Sequence, residues 1–203
     1  ANSNLLGTNG DYDTDTYKKS SSSTYKGELV TINQYSWNYK NNTTINNGYG
    51  SNIWSTSLLN KTNLNKNFIT NIGAEWAQKI ATTTWKVGGN TWANIGPQSA
   101  KTAYQNEIVN PVTTNTTDNA TEYTAKIGLM YVSDYGFAAE PSAWTTTLYN
   151  YDGSVNDSTI RSLNWMHMGY DDWTISRDAG YSGDAFFVFE GGRVNSYGVG
   201  DDV

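Results

Sequence analysis

The run AFFVFEGGRV, residues 185–194, constrains the fold more than any other stretch of this chain. Successive side chains of a strand point to opposite faces, so a half-buried strand alternates apolar and polar residues. Ala185, Phe186, Phe187, Val188 and Phe189 do not alternate. A strand over 185–190 therefore needs cover on both faces, which implies a sheet with a packed layer on each side. Gly191-Gly192 reads as a two-residue hairpin loop, with Arg193-Val194 opening the return strand. Upstream, 173–176 reads as a second strand, and 177–184 as the loop between them.

The material for two packed layers is present. Aromatic residues make up 14% of the 203 residues, with 15 Tyr and 8 Trp. That length suits one domain. Only 16% of the chain is charged, and the net charge is −6, with 13 Lys and Arg against 19 Asp and Glu. A nucleic-acid partner requires a clustered basic surface, which the sequence lacks. The surface is instead rich in Asn, Thr, Ser, Tyr and Gly, as is common outside cells. No cysteine occurs, which removes disulfides, thiolate metal sites and a Cys nucleophile, and for an exported protein fits a bacterial surface. No apolar run is long enough to span a bilayer, so any membrane attachment would come from a segment absent from this chain. Sequons at Asn42, Asn60, Asn115, Asn119 and Asn156 are expected by chance in a chain this rich in Asn and Thr.

Residues 1–27 read as a polar, extended segment and 28–203 as a single α+β domain. The stretch 28–39 is strand-like. In 51–81, Ile53, Trp54, Leu58 and Leu59, then Leu64, Phe68, Ile69 and Ile72, then Trp76 and Ile80 fall at helical spacing. Two or three short amphipathic helices follow, the first capped by Ser51. The stretch 82–95 predicts a β-hairpin turning at Gly88-Gly89. Residues 99–110 predict a short helix stopped before Pro111. The apolar run 127–132 predicts a buried central strand.

Three blocks, GSNIWSTSLLN with NFITNI, KIGLMYVSDYGFAAEPSAW, and DDWTISRDAGYSGDAFFVFEGGRV, span roughly residues 50–194. In order and content they resemble a bacterial domain of uncharacterised function with a C-type-lectin-like fold related to the formylglycine-generating-enzyme type. The resemblance implies short helices packed beside a twisted antiparallel sheet. Its members often follow a prepilin-like helix, which would lie upstream of Ala1, and carry a further strand after the last block. That final strand is expected to be missing or supplied by something else, because the chain continues only to GVGDDV. Two family chemistries do not transfer. The cysteine-dependent activity has no cysteine, and the calcium-binding triplets of lectins are matched neither by Glu140-Pro141-Ser142 nor by Asp171-Asp172-Trp173.

The candidate sites each have a bland alternative. Asp11, Asp13 and Asp15 alternate as calcium ligands would, but Thr16 stands where an EF-hand needs glycine and Ser22 where it needs the bidentate Glu, so a solvated segment is the better reading. His167, the single histidine, has no partner assignable from spacing and reads as structural. Asp171 and Asp172 could pair with Glu140 as glycosidase carboxylates, yet carboxylates before a strand more often solvate or cap a turn. Lys126 could join an isopeptide staple of the kind found in cysteine-free surface domains, but the sequence assigns it no Asn partner. Most tryptophans must pack the core. Trp144, Trp173 and Tyr181 lie next to loops and are the expected exposed contacts, with Arg177 and Asp178 as a surface ion pair. The ligand-binding set is then Trp144, Asp171, Asp172, Trp173, Arg177 and Tyr181, with no catalytic or metal residue. The expected function is non-enzymatic recognition of a glycan or protein ligand, outside a bacterial cell or on its surface. Two alternatives are a structural subunit of a pilus-like filament, contacting identical subunits, and, least favoured, a carboxylate-dependent glycoside hydrolase.

Overall fold

The computed structural model describes residues 6, 18–25, 28–38, 50–95, 98–112, 120–151, 158–201 and 203. The fold is mixed α+β. A four-stranded sheet has the order β4-β6-β7-β8. Its strands are β4 (Gly89–Asn90), β6 (Asp172–Asp178), β7 (Asp184–Val188) and β8 (Val194–Gly198). Strands β6, β7 and β8 are antiparallel neighbours, and β4 joins β6 in parallel. Two smaller pairs stand beside it. They are β1 (Lys18–Tyr25) with β2 (Glu28–Tyr35), and β3 (Thr83–Lys86) with β5 (Glu122–Ala125).

The non-alternating run lies in β7, an interior strand, and its side chains divide between two cores as its composition demands. Phe186 and Val188 join Tyr135, Tyr151, Leu148, Ile160 and Val194 on one side. Ala185 and Phe187 join Trp37, Trp54, Trp173, Ile175 and Val199 on the other. Burying a Phe in such a layer contributes roughly 1.5–3 kcal/mol, which explains why no polar residue interrupts the strand. The hairpin to β8 forms, but its turn is wider than the two glycines. The ladder closes at Val188 and Val194, and Phe189 N–H then donates to Arg193 C=O at 2.8 Å. Gly192 sits at φ +98°, a left-handed conformation that glycine tolerates.

The segment after β8 is held by the end of β2 and the residues that follow it. Asn38 N–H donates to Val199 C=O at 2.8 Å, Tyr35 N–H to Val203 C=O at 3.0 Å, and Ser36 Oγ to Gly200 C=O at 3.0 Å.

Helical spacing in 51–81 is realised as a wide-turn π-helix Leu59–Phe68 continuing into Ile69–Asn71, followed by an α-helix Ala74–Lys79. Ser51 is no cap. Ile53 precedes the first short turn, Trp54–Thr56, while Ser51 offers its carbonyl to Asn38 Nδ2 at 2.7 Å. The expected helix before Pro111 is present as Ala100–Tyr104 and Gln105–Val109.

Two expected elements are corrected. Residues 82–95 form no hairpin: β3 pairs with β5, β4 pairs with β6, and Trp92–Ile95 is helical. Gly88 and Gly89 serve close approach instead of a turn. A Cβ on Gly88 would meet Pro111 Cβ at 2.5 Å, and one on Gly89 would meet Ala179 Cβ at 2.9 Å. The apolar run 127–132 is no central strand either. Its backbone is satisfied outside any ladder, with Ile127 N–H donating to Asn65 Oδ1 at 3.0 Å and Ile175 N–H to Met130 C=O at 2.9 Å. Val132 then begins the helix Val132–Phe137.

Candidate recognition groove

The helix Val132–Phe137 starts where Asp134 Oδ2 accepts the N–H of Tyr131 at 3.0 Å, satisfying a donor that the first turn cannot. At its other end Phe137 is half-buried against the first core. Its ring is met edge-on by Trp144, with centroids 5.1 Å apart, and by Tyr104 at 6.1 Å. Such T-shaped pairs align the positive ring edge with a negative face and fix the rings in place. Trp144 is further held by its indole N–H, which donates to Ala139 C=O at 3.0 Å.

A second segment, 164–168, crosses the end of this helix. Buried Asn164 pins it, since Nδ2 donates to Tyr135 C=O at 2.8 Å and Oδ1 accepts Met166 N–H at 3.0 Å. Trp165 N–H donates to Ala138 C=O at 3.4 Å. The backbone is thus fastened while the Trp165 side chain stays 78% exposed. Between the two segments lies an open groove of about 350 Å³, lined by Asp134, Phe137, Ala138, Trp165 and Met166. Phe137 and Met166 also pack on the first core, so the groove rests on that core.

The same loop is fastened to the β7–β8 turn. Asp171 Oδ1 accepts Glu190 N–H at 2.6 Å, and His167 Nε2 lies 3.0 Å from Glu190 C=O, so it donates there. Burial lowers the His167 pKa and raises that of Asp171. Burial, reinforced by Asp171, pushes Asp172 up to about 6. Asp171 anchors a loop, and Asp172 opens β6 half-buried. Glu140 is exposed ahead of the short turn Pro141–Ala143, and neither Glu140 nor Asp171 lines the groove.

The other expected contacts separate into two groups. Tyr181 is exposed at 59%, on a loop that Asn52 holds by donating Nδ2 to the carbonyls of Asp178, Tyr181 and Asp184 at 2.8–2.9 Å. Trp144 is half-buried and supports the groove through Phe137. Trp173 and Arg177 are corrections. Trp173 is only 7% exposed, because it sits on an interior strand where its indole N–H can donate to Tyr35 C=O at 2.7 Å. Arg177 is 1% exposed and donates to Ala120 C=O at 2.9 Å, and Asp178 is buried with Oδ1 accepting Gly180 N–H at 2.7 Å. The pair is therefore no surface ion pair. Lys126 Nζ donates to the carbonyls of Ala77 and Ile80, where a cation satisfies the end of the helix Ala74–Lys79. Asp11, Asp13 and Asp15 lie outside the described residues. Among the described residues no group of three or more His, Asp or Glu is placed to hold a metal ion, and no helix is long and apolar enough to cross a membrane.

Two residues escaped the sequence reading. Trp165 lies in the NWMHM string, where apolar residues crowd a connection between a helix and a strand. Glu107 is fully buried, with Oε2 accepting Ser133 N–H at 3.0 Å and Oε1 accepting Ser176 Oγ–H. Desolvation pushes its pKa up to about 7, against the lowering effect of those hydrogen bonds. It ties the helix Gln105–Val109 to β6 and to the start of the helix Val132–Phe137. Its spacing was the available signal, since Ala100, Ala103 and Glu107 share one helical face and all are buried.

Comparison with protein-family models, with curated proteins and with solved structures gives no match for this chain.

Proposed function

We propose that this chain is a non-enzymatic recognition domain that holds a ligand at the Trp165 groove. The observation that carries this reading is the Trp165 ring, 78% exposed on a backbone fastened by Asn164. Leaving a large ring in water forgoes burial worth roughly 1.5–3 kcal/mol, and a fastened loop holds it there at little further entropic cost on binding. Display outside a bacterial cell fits the absence of cysteine and the low charged fraction of 16%. A C-type-lectin-like arrangement is the finer fold reading, supported by short helices preceding the antiparallel β6–β7–β8 unit with its loops. The test is a screen of neutral glycosides, ammonium compounds and peptides, following the indole N–H resonance of Trp165. Ligands should shift that resonance, and Trp165→Ala should abolish binding without lowering the unfolding midpoint. A ligand held equally well by the variant would refute the site.

One observation favours the filament-subunit reading. Leu163, Trp165 and Met168 are all exposed within the single segment 163–168, as a protein contact would require. Sedimentation of the chain at high concentration tests it: ordered polymers that vanish in Trp165→Ala support assembly, and a strict monomer opposes it.

A further inference from the structure

We propose that the Trp165 groove takes an organic ammonium group, a proposal that rests on the recognition reading above. The lining supplies one carboxylate, two aromatic rings and a thioether, from Asp134, Trp165, Phe137 and Met166, and it includes no Lys or Arg. Aromatic faces carry negative quadrupole charge and attract cations, most strongly in the case of Trp. Asp134 is exposed, and only its Oδ2 is engaged, by Tyr131 N–H. A negative group therefore lines the same groove as two aromatic side chains, on a chain of net charge −6. An anion would meet like charge with no side-chain donor except the indole N–H. A neutral sugar wants several convergent donors and acceptors, whereas the lining offers one carboxylate, and the Ala138 carbonyl is already taken by Trp165 N–H. An ammonium bearing methyl or methylene groups matches all the lining chemistry at once, apolar around its rim and positive at its centre.

The experiment titrates the full chain with choline, with its neutral carbon isostere dimethylbutanol and with neutral methyl glycosides, following the Trp165 indole resonance. The resonance is assigned by its loss in Trp165→Phe. Choline should shift it saturably, and the neutral isostere should bind about tenfold more weakly. Asp134→Asn, which keeps an oxygen to accept Tyr131 N–H, should weaken choline several-fold and leave the isostere unchanged. Equal binding of choline and isostere, or undiminished choline binding by Asp134→Asn, overturns the proposal. Binding of glycosides alone overturns the ammonium assignment and leaves the recognition reading standing. Silence from choline, the isostere and the glycosides overturns the ammonium assignment, and silence from the peptides of the wider screen as well overturns the recognition reading.

Discussion

Trp173 and Trp165 lie close in the chain and have opposite environments. Trp173 occupies an interior strand, packs edge-on to Phe187 with centroids 5.9 Å apart and donates its indole proton to the backbone of Tyr35 at the end of β2. Trp165 occupies a connection whose own backbone is fastened, while its ring stays in water. Sequence proximity to a loop did not decide exposure. What decided it was whether the scaffold offered the ring a covered face. Trp173 gains an acceptor for its N–H as well, whereas Trp54 is buried with an indole N–H that has no hydrogen-bond partner, and Trp165 has no covered face.

The contrast breaks most visibly by truncation. Trp173→Ala should cost about 3–5 kcal/mol in urea unfolding, because it opens a cavity in the second core and removes the indole donor from the Tyr35 carbonyl, which Val203 N–H also reaches at 3.4 Å. A loss below about 1 kcal/mol would mean that Trp173 is not a core residue.

Next in size is the effect of pH on the buried Glu107. Its carboxyl titrates near 7 when folded against 4.5 ordinarily, so the folded state holds the proton more tightly. That contribution to stability is fully present below about pH 4.5 and is lost as pH rises through about 7, for a total of about 3 kcal/mol at most. Asp172, raised to about 6 from 3.8, acts in the same direction over a lower window. Glu107→Gln, a stand-in for the protonated acid, should flatten the slope of unfolding free energy between about pH 5 and 7; an unchanged slope would clear Glu107 of responsibility.

Smaller again is Asn164→Ala, which should cost about 1–3 kcal/mol by removing one of the two donors to the Tyr135 carbonyl, the other being Ala138 N–H, and the acceptor of Met166 N–H. It should also raise amide exchange in 164–168 and weaken any ligand bound at Trp165. Smallest is Trp165→Ala, expected within about 0.5 kcal/mol of the parent in stability, since the ring contacts water. The pair of truncations, one large and one near zero, is the sharpest form of the comparison.

How much of this was legible beforehand follows from which interactions are local. The covered strand was readable because Ala185 to Phe189 violate alternation, and the helices of 51–81 and 99–110 because their apolar spacing is regular. The hairpin at Gly88-Gly89 misled, since glycines that permit a turn also permit backbones to touch, and Pro111 and Ala179 are distant in sequence. The run 127–132 misled because an apolar segment can pack without joining a ladder: Met130 leans on the first core and Ile127 and Leu129 on the second, and Asn65 hydrogen-bonds both the N–H and the C=O of Ile127. Of the aromatic residues near loops that the sequence singles out, Tyr181 is exposed and Trp173 is buried. Which ones stay exposed depends on long-range partners such as Tyr35 for Trp173 and Ala120 for Arg177, and no local pattern encodes those.

Residue-resolved hydroxyl-radical footprinting of the tryptophans tests the central contrast most directly. Trp165 should be oxidised fast, with Trp37, Trp54 and Trp173 protected until the chain unfolds. Oxidation of Trp173 at the rate of Trp165, or protection of Trp165 in the monomer, would contradict a scaffold that buries one ring and presents the other.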